Sequence, residues 1–503
     1  MNSLLLSWTL FRGTAIYAVV CLFALCLSLQ TNAVANDSDN KTNVLFIAID
    51  DMRPSTGSYG DKLAVTPNLD EIASKSVQFN RAYVQMATCS PSRASLMSSQ
   101  RPDTLQIYYS NPKTRRVEDS IPSKLTLNGY FKHEGYETVG IGKIYHAPDD
   151  SSQGWSTQWD NKGNELTRGL LSANAYLDML AWDETHPNTK RAVAYEAADV
   201  GDDAYPDGQN TRFAMLELNR LAKEKTPFLM MMGYKKPHLP FACPKAHWDK
   251  YDSDRIALPV VSTPPKNSPP YALNNSGELR VYPYMPKGKK AFSEQDTLNL
   301  KHGYYACISY IDTLIGNLLQ ELEETGLSDN TMVVIWGDHG FKVGEYGRFN
   351  KHTNYEIDTR VPLWIKMPGQ TVGQTNEAIV ETIDIFPTIL DVLGMEVPDS
   401  FAGKSFKSVV IGERSNFKNA AFQQFHRTYK KQPVMGYSIR TANYRYVAWL
   451  HRITGELLAQ ELYDHTKDPL ETINVVGDIE YKTVVAKHKS LLIEGYPPTL
   501  GVK

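Results

Sequence analysis

Residues 43–51 read Asn-Val-Leu-Phe-Ile-Ala-Ile-Asp-Asp. An unbroken apolar, partly β-branched run with no polar alternation is the pattern of a strand covered on both faces, as in a parallel sheet. The run stops abruptly at two adjacent carboxylates. Similar runs recur at 138–145, 227–233, 331–336 and 361–367, with helical stretches between them, and this alternation predicts an α/β domain built on a large, mainly parallel sheet flanked by helices. Pro67 to Ser76, with Thr66 as N-cap, and the long stretch 293–325 read as two of those helices. The polar, Pro-rich segment 259–290 reads as a surface excursion.

Beyond about residue 405 the texture changes. Stretches 419–425, 434–440, 444–450 and 457–463 read as short strands joined by turns, followed by a helix near 481–493. The expected organisation is therefore a leader at 1–35, a catalytic domain at 36–405 and a smaller antiparallel α+β subdomain at 406–503.

The leader is set apart by Arg12, an uncharged and mostly apolar run from Ala15 to Leu29, and small residues ending in Ala33-Val34-Ala35. This is the pattern of a secretory signal with an A-x-A cleavage site. A run of about 15 residues is shorter than the roughly 20 needed to span a bilayer, so the expectation is an exported protein, periplasmic or extracellular, or lysosomal in a eukaryote, with no membrane span. Removing the leader removes Cys21 and Cys26 and leaves Cys89, Cys243 and Cys307, too few for a disulfide scaffold.

The 503 residues, 42% hydrophobic and 22% charged with 32 Gly and 28 Pro, are of ordinary globular composition. A formal net charge of −3 and a pI near 6.5 provide no basic field for a phosphate backbone, so nucleic acid is not an expected partner.

The chemistry gathers where strands end, the place where open α/β sheets bind ligands. Asp50-Asp51 closes the first strand, and Asp338-His339-Gly340 follows the strand at 331–336. Three carboxylates brought together repel one another and suit a hard divalent cation, and His339 is the candidate fourth ligand. Between them lies Cys89-Ser90-Pro91-Ser92-Arg93, with a helix expected to begin just after the cysteine. A thiol at that place feels the positive end of the helix dipole and Arg93, conditions that favour the anion.

Cys-x-Pro-x-Arg at 89–93, with Asp50-Asp51 upstream and Asp338-His339-Gly340 downstream, resembles the type I sulfatase family of the alkaline phosphatase superfamily. The resemblance extends over almost the whole mature chain, through Glu461-Leu-Tyr-Asp464 and Asp468-Pro-Leu-Glu471. Asp-Asp-Met-Arg-Pro-Ser at 50–55, Arg-Pro-Asp-Thr at 101–104, Gly-Lys-Ile-Tyr-His at 142–146 and Lys-Pro-His-Leu-Pro-Phe at 236–241 are similar to the iduronate-2-sulfatase-like branch. Met97-Ser98-Ser99-Gln100 departs from the usual Leu-Thr-Gly-Arg, placing Ser99 where the family has Gly.

The resemblance implies that a formylglycine-generating enzyme converts Cys89 to formylglycine, whose hydrate is the nucleophile. It implies a metal site of Asp50, Asp51, Asp338, His339 and the modified Cys89, with Ca²⁺ the preferred ion and Mg²⁺ the alternative. Arg93, Lys143 and Lys351 would stabilise charge on the sulfuryl oxygens, and Lys235 or Lys236 compete for that contact. His238 would protonate the departing sugar oxygen and His146 would take a proton from the second hydroxyl. The implied substrate is a sulfated oligo- or polysaccharide, attacked from the chain end at a 2-O-sulfated uronic acid. Tyr108, Tyr109, Trp155, Phe341, His426 and Arg427 are candidates for sugar stacking or carboxylate binding. A phosphate or phosphonate ester hydrolase of the same superfamily, and an inactive carbohydrate-binding homologue, are the competing readings.

Overall fold

The computed structural model describes residues 41–109, 116–146, 152–159 and 193–496; the leader lies outside them. Residues 42–503 form one compact unit. Its centre is a nine-stranded sheet. In chain order the strands are β1 (Asn43–Ile49), β2 (Val77–Tyr83), β3 (Glu137–Gly142), β4 (Thr157–Trp159), β5 (Phe228–Tyr234), β6 (Thr331–Gly337), β7 (Arg360–Val361), β8 (Leu363–Lys366) and β9 (Gln374–Glu381). Their spatial order is β7-β2-β8-β6-β1-β5-β3-β4, with β9 also paired to β2.

The continuous apolar pattern of β1 has a direct structural cause. Leu45, Ile47 and Ile49 point into a core on one face of the sheet, and Val44, Phe46 and Ala48 into a second core on the other. Helices α1 (Pro67–Ser74), α3 (Pro206–Glu224) and α4 (Glu294–Glu324) supply the first core; α2 (Cys89–Ser98) contributes Ala94, Leu96 and Met97 to the second. Ser293 caps α4 by accepting from the Asp296 amide at 3.0 Å, while Asp296 accepts from the Ser293 amide at 3.1 Å, a reciprocal capping box.

Two features depart from the sequence reading. The run at 361–367 is not one strand of the parallel set, because Pro362 interrupts it and leaves β7 and β8, both antiparallel to β2. Strands β2 and β9 were not predicted: Val-Gln-Phe-Asn-Arg-Ala-Tyr and Gln-Thr-Asn-Glu-Ala-Ile-Val-Glu dilute their apolar signal with polar side chains.

A second, antiparallel sheet follows, in the order β10 (Ala420–Tyr429), β11 (Gln432–Thr441), β12 (Tyr444–His451) and β13 (Leu457–Asp464), with α5 (Lys482–Gly495) packed on it. An ion network joins it to the first sheet. Glu356 accepts from Arg440 at 2.9 Å and from Arg445 at 2.7 Å, and Arg445 also donates to Glu471 at 2.6 Å. Arg445 and Glu471 are fully buried.

The parallel strands deliver their C-terminal ends at one level. Ile49 is in register with Tyr234 and Gly337, and Gly142 with Gly233. The residues that follow, Asp50, Lys235, Asp338 and Lys143, therefore emerge on the same edge of the sheet.

Candidate active site

Cys89 is the first residue of α2, whose ten residues are all buried. Its Sγ lies 3.2 Å from Asp50 Oδ1 and 3.3 Å from His339 Nε2. Burial and Asp50 push the thiol pKa up, but Lys143, Lys351 and His339 outweigh them and hold it well below the ordinary range. Cys243 and Cys307 are free thiols buried together in the core.

The far end of α2 explains the unusual Ser99. It adopts a left-handed conformation, φ 52° and ψ 35°, the state that favours glycine. Its hydroxyl donates to the Ile383 carbonyl at 2.8 Å and accepts from the Gly403 amide at 3.2 Å. A β-carbon at Gly403 would come within 2.0 Å of the Ile383 carbonyl oxygen, so the small residue needed at this contact is at 403 as well.

Asp50, Asp51, Asp338 and His339 have no solvent exposure. Donor atoms of Asp50, Cys89, Asp338 and His339 all lie within 4.8 Å of one another, and those of Asp51, Cys89 and His238 form a second such group. The Asp51 amide donates to Asp338 Oδ1 at 2.9 Å, made possible by a left-handed Asp51, φ 60°. Burial opposes charge on Asp50, yet Lys143, His238, Arg93 and Lys351 hold its carboxyl well below the usual range. Asp338 is pushed up to about 7, by burial and by Asp50. Buried oxygen donors of this kind, converging with one imidazole, fit a hard divalent cation.

Four cationic groups line the same space. Arg93, fully buried, donates from Nε to Asp338 Oδ2 at 2.8 Å and from Nη1 to the carbonyls of Lys143 and Ile144. Its Nη2 is buried with no hydrogen-bond partner among the described residues, 3.9 Å from Asp50 Oδ1. The Lys143 ammonium bonds to Asp50 Oδ2. Lys351 donates to Asp51 at 2.9 and 3.1 Å. His238 is raised to about 10: burial and Lys351 oppose its charge, and Asp51, Asp50 and Glu278 outweigh them.

His146 follows Lys143 on the same strand-end loop, and its Nδ1 is buried without a partner among the described residues. Lys236 is a loop support, its ammonium bonded to the carbonyls of His238 and Pro240, whereas Lys235 is exposed.

Beside Thr88 opens a cavity of about 500 Å³ lined by Tyr108, Tyr109, Asn274, His352, Phe425, His426, Arg427 and Thr428. Strand β10 thus closes a pocket whose opposite wall belongs to the first sheet's loops. Two of the aromatic candidates are corrected. Phe341 has no exposure and stacks under Tyr304, with the Lys351 ammonium 5.8 Å above its ring; Trp155 packs in the core against Gly140. Arg427 lines the pocket, but its guanidinium donates to the carbonyls of Tyr271, Ala272 and His352, so it braces the wall.

The Sulfatase family profile matches residues 42–395, and an N-sulphoglucosamine sulphohydrolase C-terminal profile matches 344–495. The chain belongs to the sulfatase family. It is 30% identical to iduronate 2-sulfatase of Mus musculus, over 92% of this chain and 95% of that one. Among solved structures, a 2-O GAG sulfatase superposes with a TM-score of 0.66 at 22% identity, covering 92% of this chain and 94% of the other. A phosphonate monoester hydrolase from Silicibacter pomeroyi does so with 0.70 at 20% identity, covering 90% and 95%. This sulfatase is a sulfuric ester hydrolase of the α/β, alkaline phosphatase-like fold.

Glu278 is a site residue that sequence reasoning missed. A lone carboxylate in a polar, Pro-rich excursion carries no signal of its own, and only the folded chain places it against His238 and Lys351.

Proposed function

We propose that this sulfatase removes sulfate from a 2-O-sulfated uronic acid at the end of a glycan chain, with Cys89 acting after conversion to formylglycine. The observation that carries the reading is the position of Cys89: at the start of a buried helix, between a carboxylate cluster and Arg93, Lys143, Lys351 and His238, beside a pocket. A cavity of about 500 Å³ has room for a sugar residue or two. The likeness to iduronate 2-sulfatase supports the 2-O-sulfated uronate.

Asp50, Asp51, Asp338 and His339 would hold one divalent cation, Ca²⁺ ahead of Mg²⁺, joined by the modified residue 89. When bound, such an ion polarises a sulfate oxygen and acidifies a neighbouring hydroxyl. The aldehyde hydrate at position 89 supplies one hydroxyl for attack and a second for release of sulfate by elimination.

The remaining roles fall to side chains of this chain. Asp338, whose carboxylate lies in the same cluster as Cys89, takes the proton of the attacking hydroxyl. Arg93 Nη2, Lys143 and Lys351 point cationic donors at the sulfuryl oxygens in a water-poor site. His238 gives a proton to the sugar oxygen as its bond to sulfur breaks, and His146 accepts the proton of the second hydroxyl. The leader at 1–35 fits an exported enzyme that begins near Asn36; among the described residues no helix is long and apolar enough to cross a membrane.

The test is a panel of 2-O-sulfated uronate disaccharide, 6-O-sulfated glucosamine, nitrophenyl sulfate and nitrophenyl phosphonate, with mass spectrometry of the peptide containing Cys89. The expected result is an aldehyde at position 89 and the highest kcat/KM on the uronate. Preference for the phosphonate would transfer the chain to the phosphonate ester hydrolases.

A further inference from the structure

His238 is held between two acceptors. Its Nδ1 lies 2.7 Å from the carbonyl oxygen of Leu239, and its Nε2 lies 3.0 Å from Oε1 of Glu278. A carbonyl and a carboxylate can only accept, so each ring nitrogen carries a hydrogen in this arrangement. With Nδ1 tied to its own chain, the Nε2 proton is the one that can be passed to a substrate, and in the free enzyme it is held by Glu278. The other oxygen of Glu278, Oε2, lies 3.2 Å from the ammonium of Lys351.

Glu278 is itself anchored. It precedes a 3₁₀ turn, Leu279–Val281, whose Leu279 is fully buried in the first core. Arg280 pins the turn by donating to the carbonyls of Asn275 at 2.8 Å and Pro286 at 2.7 Å. The carboxylate reaches the site from a fixed piece of backbone and remains partly exposed there, at 28% of its side-chain surface.

We propose that Glu278 is a positioning residue: its two oxygens fix the aim of the His238 proton donor and the spacing between that donor and Lys351. This rests on the reading of His238 as the general acid. In the step it serves, the sugar oxygen displaces Glu278 from Nε2–H, the sulfur–oxygen bond breaks with its electron pair on the sugar oxygen, and that oxygen takes the Nε2 proton. The neutral imidazole then faces a carboxylate with its lone pair, an arrangement relieved by taking a proton from water. A carboxylate that touched only the sugar would affect substrate binding and would act without regard to His238.

The experiment compares wild type, Glu278→Ala, Glu278→Gln, Glu278→Asp, His238→Ala and the double variant His238→Ala with Glu278→Ala. Each is assayed on a sugar sulfate, whose alkoxide leaves poorly, and on nitrophenyl sulfate, whose phenolate leaves without help. Rates are expressed per molecule carrying both aldehyde and metal. Glu278→Ala is expected to lose at least about tenfold more kcat on the sugar sulfate than on the aryl ester. Glu278→Asp should recover part of the difference and Glu278→Gln less. In the His238→Ala background the Glu278 substitution should widen the difference no further. Equal losses on both esters, a change in KM alone, or a full additional effect in the His238→Ala background would overturn the proposal. Wild-type protein inactive on every sulfate ester would instead overturn the functional reading beneath it.

Discussion

Lys351 reaches Asp51 at 2.9 Å with one side of its ammonium and Glu278 at 3.2 Å with the other. A single cation therefore couples the proposed ligand cluster to Glu278, the carboxylate that faces His238. Lys351→Ala should lose transition-state stabilisation on every sulfate ester, in contrast to the leaving-group-dependent loss expected at His238. A kcat/KM decrease of about 10²-fold or more on both ester types is the expected reading.

Cys89 should be required in modified form. An unmodified thiolate attacking sulfur would form an S-sulfo adduct lacking the second hydroxyl through which sulfate leaves. Cys89→Ser should at most accumulate a trapped sulfate ester, visible as a mass increase on the peptide, and steady turnover at the wild-type rate would contradict the mechanism.

Asp50→Ala should lose activity and bound metal together. The substitution takes away an oxygen ligand and a charge that the buried cluster needs to hold a divalent ion. Elemental analysis and thermal melts with and without chelator check this: the wild-type melting temperature should fall on chelation because the ion favours the folded state, and the variant's should not respond.

His238→Ala should reduce kcat/KM on a sugar sulfate by roughly 10²-fold more than on nitrophenyl sulfate. The comparison is made at matched metal and aldehyde content. Equal losses would move the acid role elsewhere, with His146 the next residue to test.

Glu356 ties the two sheets together, and Arg440 and Arg445 hold its carboxyl well below its ordinary 4.5 against the effect of burial. A depressed folded-state pKa stabilises the fold above the ordinary value and loses that contribution as pH falls below it. Glu356→Ala should therefore cost about 3 kcal/mol near neutrality, since it strands buried arginine charge. Denaturation at a series of pH values should show the gap between variant and wild type narrowing below pH 4.5.

The parts of the site that were legible in the sequence are those fixed by a strand end. Asp50 and Asp338 follow unbroken apolar runs, so their position at the sheet edge is a local property of the chain. Lys143 and His238 were visible only through the motifs around them. Glu278, Asn274 and His352 come from polar loops, where position depends on packing between distant segments. Aromatic identity was a poor guide for a related reason: Phe341 and Tyr108 are both rings near the site, but side-chain direction sent one into the core and left the other on the pocket wall. Strands β2 and β9 were hidden because pairing, more than composition, makes them strands.

The complete burial of the helix from Cys89 to Ser98 sets a schedule. On the proposed reading a maturation enzyme would have to take hold of the segment around Cys89 in its own cleft, and in the folded protein that segment is buried. Conversion would then be confined to the interval between synthesis and folding. Protein that folds first is expected to remain a thiol permanently, so the active fraction of any preparation records a race between two rates, and adding the maturation enzyme to the finished protein should recover nothing.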